Sequence, residues 1–435
     1  MKTILRWGCW ALALGLLVRA AEPTKIDLAT ALRLAGARNL DLEIARERVR
    51  ESRSQLDQER ARLFPWIAPG VGYRRHDGNL QDIVGDVFDA SKQSGTAALT
   101  LQAQLDLGDS VYRVLAAKQA VAASQAGSDA GRRETWLSVA VAYTELGRAA
   151  AAVTAAEEAR RITRGTLDQV RAAVAAGLAN TGDVRRVEVQ SGRNEALWLE
   201  ANEAERVASA RLAGLLRLPP EDPLYPDSRE FVPTVLVPTN RALDSLVVSA
   251  LRLRPEMRRS EAVLGLAQAR RDGATRGVWF PTLGAQASFG GLVGGRNGDW
   301  GRGDDFQDYG LGLSWRIGPG GIGDGSRIRS EDARLRIARL ERDRLRDEVV
   351  RGLVELRSRT EIAARLVEVS GQTVLAARSL VEMTRDRREF GVGVVMEAIE
   401  AERELARAQA EQIRSVAGHN RAQWELWHAS GQDLD

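Results

Sequence analysis

A glycine-rich segment is the part of the chain whose spacing most resembles a cofactor motif. Residues 318–323 read Gly-Pro-Gly-Gly-Ile-Gly and match the G-x-G-x-x-G pattern, which holds a dinucleotide pyrophosphate at a helix N-terminus. That motif requires a second parallel strand soon afterwards, whereas a helical stretch of roughly a hundred residues follows here. We therefore interpret these glycines as a sharp bend between a strand and a helix, and we predict no cofactor.

Side chains suited to catalysis or metal binding are scarce. The three histidines, His76, His419 and His428, include no pair with ligand spacing on a helical turn. We expect His76 in or near a surface loop and the other two near the end of the final helix. The carboxylates lie among arginines, as on solvated helices, and no nucleophile has a nearby base. The sequence thus predicts no catalytic residue, no metal and no enzyme.

The first twenty residues have the features of a cleaved secretory signal. Lys2 and Arg6 precede an apolar run, and Val18-Arg19-Ala20 then offers a small residue before Ala21. Cys9, the only cysteine, lies at the start of that run, so we expect neither a lipid anchor nor a disulfide in the mature protein. Removal of this segment leaves a nearly neutral chain, which gives no electrostatic case for nucleic-acid binding.

The distribution of proline predicts two long helical zones separated by one linker. Proline is absent from Gly70 to Leu218 and from Gly320 onward, and both zones are rich in Ala, Leu, Arg, Glu and Gln. Six prolines crowd the linker: Pro219, Pro220, Pro223, Pro226, Pro233 and Pro238. A helix from Ser110 to Ala176 would be on the order of 100 Å long. Charged residues interrupt every apolar segment after residue 21, so a membrane-embedded part would have to consist of strands.

About four segments alternate at the period of a β-strand and predict two hairpins. They surround Ile67 to Tyr73, Leu99 to Leu107, Leu283 to Phe289 and Tyr309 to Ile317. Aromatic residues gather near these segments, as at a membrane interface. We expect the stretches 74–95 and 291–308 to be polar loops that face the exterior. A soluble β-sandwich, or a hairpin packed on helices, is the alternative for this pattern.

The two halves of the chain repeat at an offset of roughly 215 residues. Phe64-Pro65 recurs as Phe280-Pro281, and Gly177 with Asp183 recurs as Gly391 with Glu397. Four strands cannot close into a barrel, and lipid does not tolerate open edges, so a membrane role requires several chains. Three chains would supply about twelve strands and leave an opening, which suits a conduit better than two chains.

Several of these residues resemble the TolC-type outer membrane efflux protein family over nearly the whole chain. The resemblance begins at Ile26-Asp27-Leu28 with Asn39 and Leu42. It is most specific at Phe390-Gly391-Val392-Gly393, followed by residues 397–405. The resemblance implies a mainly α fold with a transmembrane β-hairpin pair, built from a duplicated helix-hairpin-helix repeat. It also implies a homotrimer in which a 12-stranded β-barrel in the outer membrane continues into a long α-helical barrel in the periplasm. The implied partners are a periplasmic adaptor (membrane fusion protein), an inner membrane pump and outer membrane lipid.

By the same resemblance, three acidic residues are placed at the periplasmic aperture that gates the pore: Glu397, Glu400 and Asp183. Carboxylates from three chains at a constriction would attract cations and repel anions. The competing interpretation is a solvated helix face, since Glu400 and Arg403 have the spacing of an ion pair. Gly393 stands where well-studied members have an arginine that ties the closed aperture together, so other contacts would have to hold it closed. Pro65, Pro281 and Pro319 are interpreted as junctions between barrel and tunnel.

These predictions divide the chain into eight segments. They are a signal peptide (1–20), N-terminal helices (21–64), hairpin 1 (65–108), a long helix pair (109–217), a Pro-rich equatorial linker (218–240), further helices (241–279), hairpin 2 (280–318), and a second long helix pair with the C-terminus (319–435). The expected function is passive conduction through the outer membrane for a tripartite efflux or type I secretion system. A periplasmic coiled-coil scaffold or adaptor, and a porin that needs no pump, are the alternatives.

Overall fold

A computed structural model describes residues 24–238, 241–389 and 394–432. The expected signal peptide at 1–20, Cys9 and the motif residues 390–393, Gly393 among them, lie outside the described residues. Contacts divide the chain into two compact units. Unit 1 is the described part of Met1–Asn39, Ser138–Thr234 and Ala363–Arg421, and unit 2 is the described part of Leu40–Leu137, Val235–Ile362 and Ala422–Asp435.

The secondary structure repeats in the two halves of the chain, and each half has two helices, two strands and two further helices. After strand β1 (Thr24–Ile26), the first half contains α1 (Leu28–Arg38), α2 (Leu40–Ala61), β2 (Trp66–Gln81), β3 (Val87–Asp106), α3 (Asp109–Ala175) and α4 (Thr181–Leu216). After strand β4 (Leu224–Pro226), the second contains α5 (Leu243–Leu253), α6 (Pro255–Thr275), β5 (Thr282–Arg296), β6 (Gly303–Ser314), α7 (Gly325–Glu389) and α8 (Val395–Ser430). A short 3-10 helix, Gly277–Trp279, precedes β5.

The helices follow the proline distribution, and some of them, such as α1 and α4, begin at polar caps. The helix expected over 110–176 is α3, Asp109–Ala175, which has 67 residues. Asn180 caps α4 by accepting a hydrogen bond from the Gly182 amide at 2.9 Å. None of the helices in the described ranges combines the length and the apolar character that a membrane crossing requires.

One antiparallel sheet contains four strands in the order β2-β3-β5-β6, which confirms the two predicted hairpins. Side chains alternate between an apolar and a more polar face, because neighbouring strand residues point to opposite sides. One cross-strand row of the apolar face contains Ile67, Leu101, Ala287 and Tyr309. The next row, on the polar face, contains Ala68, Thr100, Ser288 and Asp308.

The prediction of loops over 74–95 and 291–308 is wrong, because the strands continue through most of both segments. β2 extends to Gln81 and β3 begins at Val87, while β5 extends to Arg296 and β6 begins at Gly303. His76 consequently lies in β2 and not in a loop. Polar residues form the cross-strand contacts there: the Ser91 hydroxyl donates to Asp77 Oδ1 at 2.5 Å. Apolar alternation, the signal used for the inner parts of the strands, is weak in these outer parts.

The last strand is also shorter than its apolar alternation indicates. β6 ends at Ser314, and Trp315 to Ile317 lie beyond it. Ile317 forms only an isolated bridge with Ile322 in the turn that precedes α7. The apolar alternation therefore continues past the end of the strand into the turn.

The core of unit 1 includes two short strands that the sequence did not reveal. β1 pairs in parallel with β4, which lies inside the proline-rich linker. Ile26 and Leu224 are buried together with Val139, Leu146 and Leu212. The linker therefore carries a part of the hydrophobic core as well as joining the two halves.

The end of α8 packs into unit 2 through polar and aromatic contacts. Gln423 is fully buried, and its Oε1 accepts hydrogen bonds from the Leu236 and Val237 amides at 3.0 and 2.9 Å. The Arg133 guanidinium lies 4.8 Å from the centre of the Trp427 ring, a cation–π distance. His428 is next to this pair, and its surroundings make the stability of the protein depend on pH.

We expect unit 2 to lose stability as the pH falls below about 6.5, the ordinary pKa of histidine. Burial lowers the pKa of His428 in the folded chain, with Arg254 and Arg133 acting in the same direction and Glu256 and Glu134 opposing. Because the folded pKa lies below the unfolded one, the unfolded chain takes up the proton first. The stabilising contribution of the neutral imidazole is therefore present above about pH 6.5 and is lost in more acidic solution.

Thermal unfolding of the protein and of His428→Gln between about pH 7 and pH 5 measures this contribution. The melting temperature of the variant should fall less over that interval. His76→Gln is the matched control, since His76 lies in the sheet. Equal pH dependence in wild type and His428→Gln would contradict the assignment.

Candidate functional site

Asp183 lies in the first turn of α4, immediately after the turn that follows α3. Its carboxylate accepts a hydrogen bond from Arg186 at 2.9 Å, a pair between residues three apart on the exposed helix. The preceding Gly177 has a φ of 72°, a left-handed conformation that glycine adopts without strain and that ends α3. A helix N-terminus also favours a carboxylate in its first turn.

Glu397 and Glu400 occupy the equivalent turns of α8. Glu397 lies 3.8 Å from Arg387 of α7, a separation at the limit of an ion pair. Glu400 is exposed and, within the described parts of the chain, has no ion pair; its side chain does not pair with Arg403. Arg403 instead donates to Gln190 of α4 at 2.7 Å. The helix-face pair of Glu400 and Arg403 is therefore absent from this part of the structure.

An apolar cluster brings the first turns of α4 and α8 together in unit 1. Val170 of α3, Val187 of α4 and Ile399 of α8 are buried in it, with Val184 and Val395 packed against them. Val184 follows Asp183 directly, and Val395 lies two residues before Glu397. The three predicted acidic positions therefore lie at the same end of this unit, beside the two connections between long helices.

A polar seam further along the same helices was not predicted from the sequence. Both oxygens of Glu402 accept hydrogen bonds from α3, from the Thr163 hydroxyl at 2.8 Å and from the Thr166 hydroxyl at 2.7 Å. Thr163 also accepts from Asn194 of α4 at 2.8 Å, and Asn194 accepts from Gln190 at 3.0 Å. The seam thus ties three helices together just beyond the apolar cluster. Threonines three residues apart in an alanine-rich helix were the available signal, but nothing local indicated their partner.

The three predicted junction prolines lie between helices and strands. Pro65 lies between α2 and β2, and Pro281 directly precedes β5. Pro319 lies in the turn between β6 and α7, where Gly318, Gly320 and Gly323 all have positive φ. The glycine-rich segment at 318–323 therefore forms a turn.

Asp324 joins the 318–323 turn to the start of α7. Its carboxylate accepts hydrogen bonds from the amides of Gly320, Ser326 and Arg327 at 2.9, 3.1 and 3.0 Å. A hydrogen bond from the Ser326 hydroxyl, together with these three bonds from backbone amides, holds the pKa of Asp324 well below its usual range. The carboxylate therefore remains an acceptor at any physiological pH and fixes the direction in which the helix leaves the turn.

The fourth junction, between β3 and α3, uses a glycine in place of a proline. A Cβ atom added to Gly108 would lie 1.9 Å from the carbonyl oxygen of Gly277 in the 3-10 helix before β5. The Leu107 amide also donates to the Pro281 carbonyl at 3.3 Å. The connection that follows β3 and the connection that precedes β5 are therefore in direct backbone contact, and only glycine fits at 108.

Comparison with known families gives this arrangement an identity. The model of the family described as "Outer membrane efflux protein" matches residues 31–216 and 246–432, which together make up most of the chain. The chain belongs to the outer membrane efflux protein family. The resemblance seen in the sequence is thereby confirmed, and the two matched blocks coincide with the two structural repeats. Among curated protein sequences, none matches this family member significantly.

Solved structures share the fold of this outer membrane efflux protein at low sequence identity. A membrane protein from Pseudomonas aeruginosa is 19% identical, with a TM-score of 0.78 and coverage of 93% of each chain. The outer membrane protein VceC from Vibrio cholerae is 20% identical, with a TM-score of 0.73, 93% of this chain and 96% of that chain. The MtrE outer membrane channel from Neisseria gonorrhoeae, solved in its open state, is 20% identical, with a TM-score of 0.74, 93% of this chain and 88% of that chain.

The family assignment confirms the predicted fold class and location. The protein is mainly α, with a small antiparallel sheet of two hairpins and a duplicated repeat. It is an outer membrane protein of Gram-negative bacteria with a large helical periplasmic part.

Proposed function

We propose that this chain is one of three identical subunits of a passive channel, in which three four-stranded sheets form a 12-stranded barrel that continues into a helical tunnel. Substrates delivered by an inner membrane pump and a periplasmic adaptor would pass through it to the exterior, as part of a tripartite efflux or type I secretion system. The energy comes from the partners, and the channel catalyses nothing. Whether the cargo is a small molecule or a protein depends largely on the pump.

The observation that carries this proposal is a sheet with an apolar face and two unpaired edges. β2 pairs only with β3, and β6 only with β5, within the described chain. Val71 is 91% exposed, Leu311 is 80% exposed and Tyr309 is 69% exposed, all on the same face. Such a face suits lipid, but lipid does not tolerate the free hydrogen-bonding groups of the edges, so other copies must cover them.

The aperture of this channel would be formed by Asp183, Glu397 and Glu400 from each subunit. The common location of the first turns of α4 and α8 supports this assignment, since one cluster positions both turns. A ring of carboxylates from three subunits would favour cations at the constriction. Glu402 and the polar seam would keep the three helices in register just beyond it.

Native mass spectrometry of the protein extracted by detergent from the outer membrane fraction tests the proposal. The expected result is a detergent-dependent trimer. A water-soluble monomer or dimer absent from the membrane fraction would refute the channel and favour a periplasmic scaffold. A trimer that restores export to cells without the adaptor and pump would favour a porin that works alone.

Replacing Glu397 and Glu400 by glutamine should lower the cation-over-anion permeability ratio of the reconstituted channel severalfold, because the double variant removes two carboxylates from each subunit. Reversal potentials in planar bilayers under a salt gradient measure this ratio. Glu411→Gln is the matched control, since Glu411 is an exposed carboxylate of the same helix that pairs with Arg414. If both variants keep the wild-type ratio, the acidic residues belong to a solvated helix face.

A further inference from the structure

The two edge strands of the sheet have opposite charges. β6 contains Asp304, Asp305 and Asp308 and no basic residue, whereas β2 contains the adjacent Arg74 and Arg75. Arg75 is paired with Asp77 of its own strand at 2.7 Å. Arg74 and Asp308 are exposed and have no ion-pair partner in the described parts of their own chain. Among the described residues, strand β2 therefore contains one unpaired cation, Arg74, and β6 contains unpaired anions that include Asp308.

Arg74 and Asp308 both belong to the polar face of the sheet. Asp308 is opposite Ser288, which in turn is opposite Thr100. Arg74 is opposite Ser94, an even number of residues from Thr100, so its side chain projects from the same face. A second copy placed edge to edge with the first would therefore present Arg74 on the face from which Asp308 projects.

The two edges are also staggered along the strand direction. The cross-strand pairs can be followed from β2 through β3 and β5 to β6. Along this path Tyr73 corresponds to Gly303, the first residue of β6, and Trp66 corresponds to Gly310. β2 continues eight residues beyond Tyr73 to Gln81, and β6 continues four residues beyond Gly310 to Ser314. For β6 to lie along the β2 of a second copy over its whole length, that copy must be displaced by between four and eight residues. A displacement in the opposite direction would leave most of β6 unpaired.

Barrel closure requires a displacement of this size. Strands in barrels tilt by about 35–45° to the axis, with about 4.8 Å between strands and about 3.3 Å per residue. For twelve strands in three identical sheets, this tilt corresponds to a displacement of about four to six residues per sheet. Only an even displacement keeps the polar faces continuous, which leaves about four or about six.

Both displacements bring Asp308 to Arg74. With six residues, Asp308 of β6 is directly opposite the Arg74 of the next copy. With four, it is opposite Gly72 and diagonal to Arg74, still within reach of a long arginine side chain. We propose that Asp308 of each copy pairs with Arg74 of the next copy, and that this ion pair fixes the register of the seam between subunits. This inference rests on the proposed trimer and names the residues that align it.

Cysteine cross-linking measures the register while leaving the ion pair intact. In a chain whose only cysteine, Cys9, is replaced by alanine, Ala68→Cys is combined with Ser314→Cys or with Gly312→Cys. Oxidation should link three chains through residue 314 if the displacement is six, or through residue 312 if it is four. A native trimer that neither pair cross-links would overturn the inference. A wild-type protein that forms no trimer would refute the proposed function itself.

Charge reversal tests the ion pair. Arg74→Asp and Asp308→Arg should each lower the temperature at which half of the detergent-solubilised trimer dissociates, followed by native mass spectrometry. The double reversal should recover most of the loss, because it restores opposite charges at all three seams. Lys92 is the matched control, since it is an exposed cation of the same face on the central strand β3. Lys92→Asp should give no recovery when combined with Asp308→Arg. The inference would be overturned if the trimer of the double reversal dissociated at a temperature no higher than that of the less stable single variant.

Discussion

Alanine at Gly108 should strongly destabilise the outer membrane efflux protein, because the added carbon has no space. The nearest atoms to that Cβ would be the carbonyl oxygen and carbon of Gly277, at 1.9 and 2.6 Å. Both belong to the backbone, so no rotation of a side chain can relieve the clash. Overpacking of this kind costs about 1–3 kcal/mol, and sometimes more when backbone must move. We expect a lower unfolding temperature and less protein in the outer membrane fraction.

Gly131→Ala is the matched control for this substitution. Gly131 lies in α3, the helix that begins one residue after Gly108, and a Cβ there would have no atom within 4 Å. Alanine in a helix interior is favoured over glycine by about 0.5–1 kcal/mol, so the control should be slightly stabilised. Wild-type stability and membrane yield in Gly108→Ala would mean that the two connections are further apart than the structure places them.

The close approach at Gly108 also shows what local sequence patterns cannot contain. The effect of the prolines at 65, 281 and 319 can be predicted from the sequence because proline restricts its own backbone. Gly108 owes its role to Gly277, a residue far away in the sequence, and to the pairing of β3 with β5 that brings the two together. No single-sequence pattern records such a contact.

The sequence predicted the helices and the inner parts of the strands for clear physical reasons. Long runs without proline permit uninterrupted helices, and apolar alternation marks a sheet with one apolar face. The outer parts of the strands were missed because side chains such as Asp77 and Ser91 hold them together through polar contacts. The strands β1 and β4 were missed because three residues are too few to establish a period.

The candidate aperture was reached by resemblance, and the structure adds the packing that positions it. Asp183 and Glu397 are far apart in the chain, yet Val184 and Val395 beside them pack on the same buried residues. The buried partner of Glu402 was not foreseen, because hydrogen bonds between Thr163 and Glu402 span 239 residues of sequence. Ala-rich helices predict close packing, but they do not specify which polar residues meet inside it.

Alanine at Glu402 should cost about 2–6 kcal/mol of folding stability, the second large effect expected of a single substitution. Thr163 and Thr166 are 1% and 4% exposed, and both of their hydroxyls donate to this carboxylate. Without it, two buried donors lose their acceptor, and each such loss costs about 1–3 kcal/mol. Thermal or denaturant unfolding of the detergent-solubilised protein measures the change.

Two further variants separate the lost hydrogen bonds from the lost charge. Glu404→Ala removes a carboxylate two residues away that is 54% exposed and pairs only with Arg407 among the described residues, so its effect should stay within about 0.5 kcal/mol. Glu402→Ala combined with Thr166→Val should be less destabilised than Glu402→Ala alone, because the second change removes a donor that would otherwise remain buried and unpaired. If Glu402→Ala behaves like Glu404→Ala, water reaches the threonines and the seam does not hold the helices. If Glu402→Ala is strongly destabilised and Thr166→Val reduces that loss of stability, the register of α3 against α8 depends on these hydrogen bonds as well as on the apolar cluster.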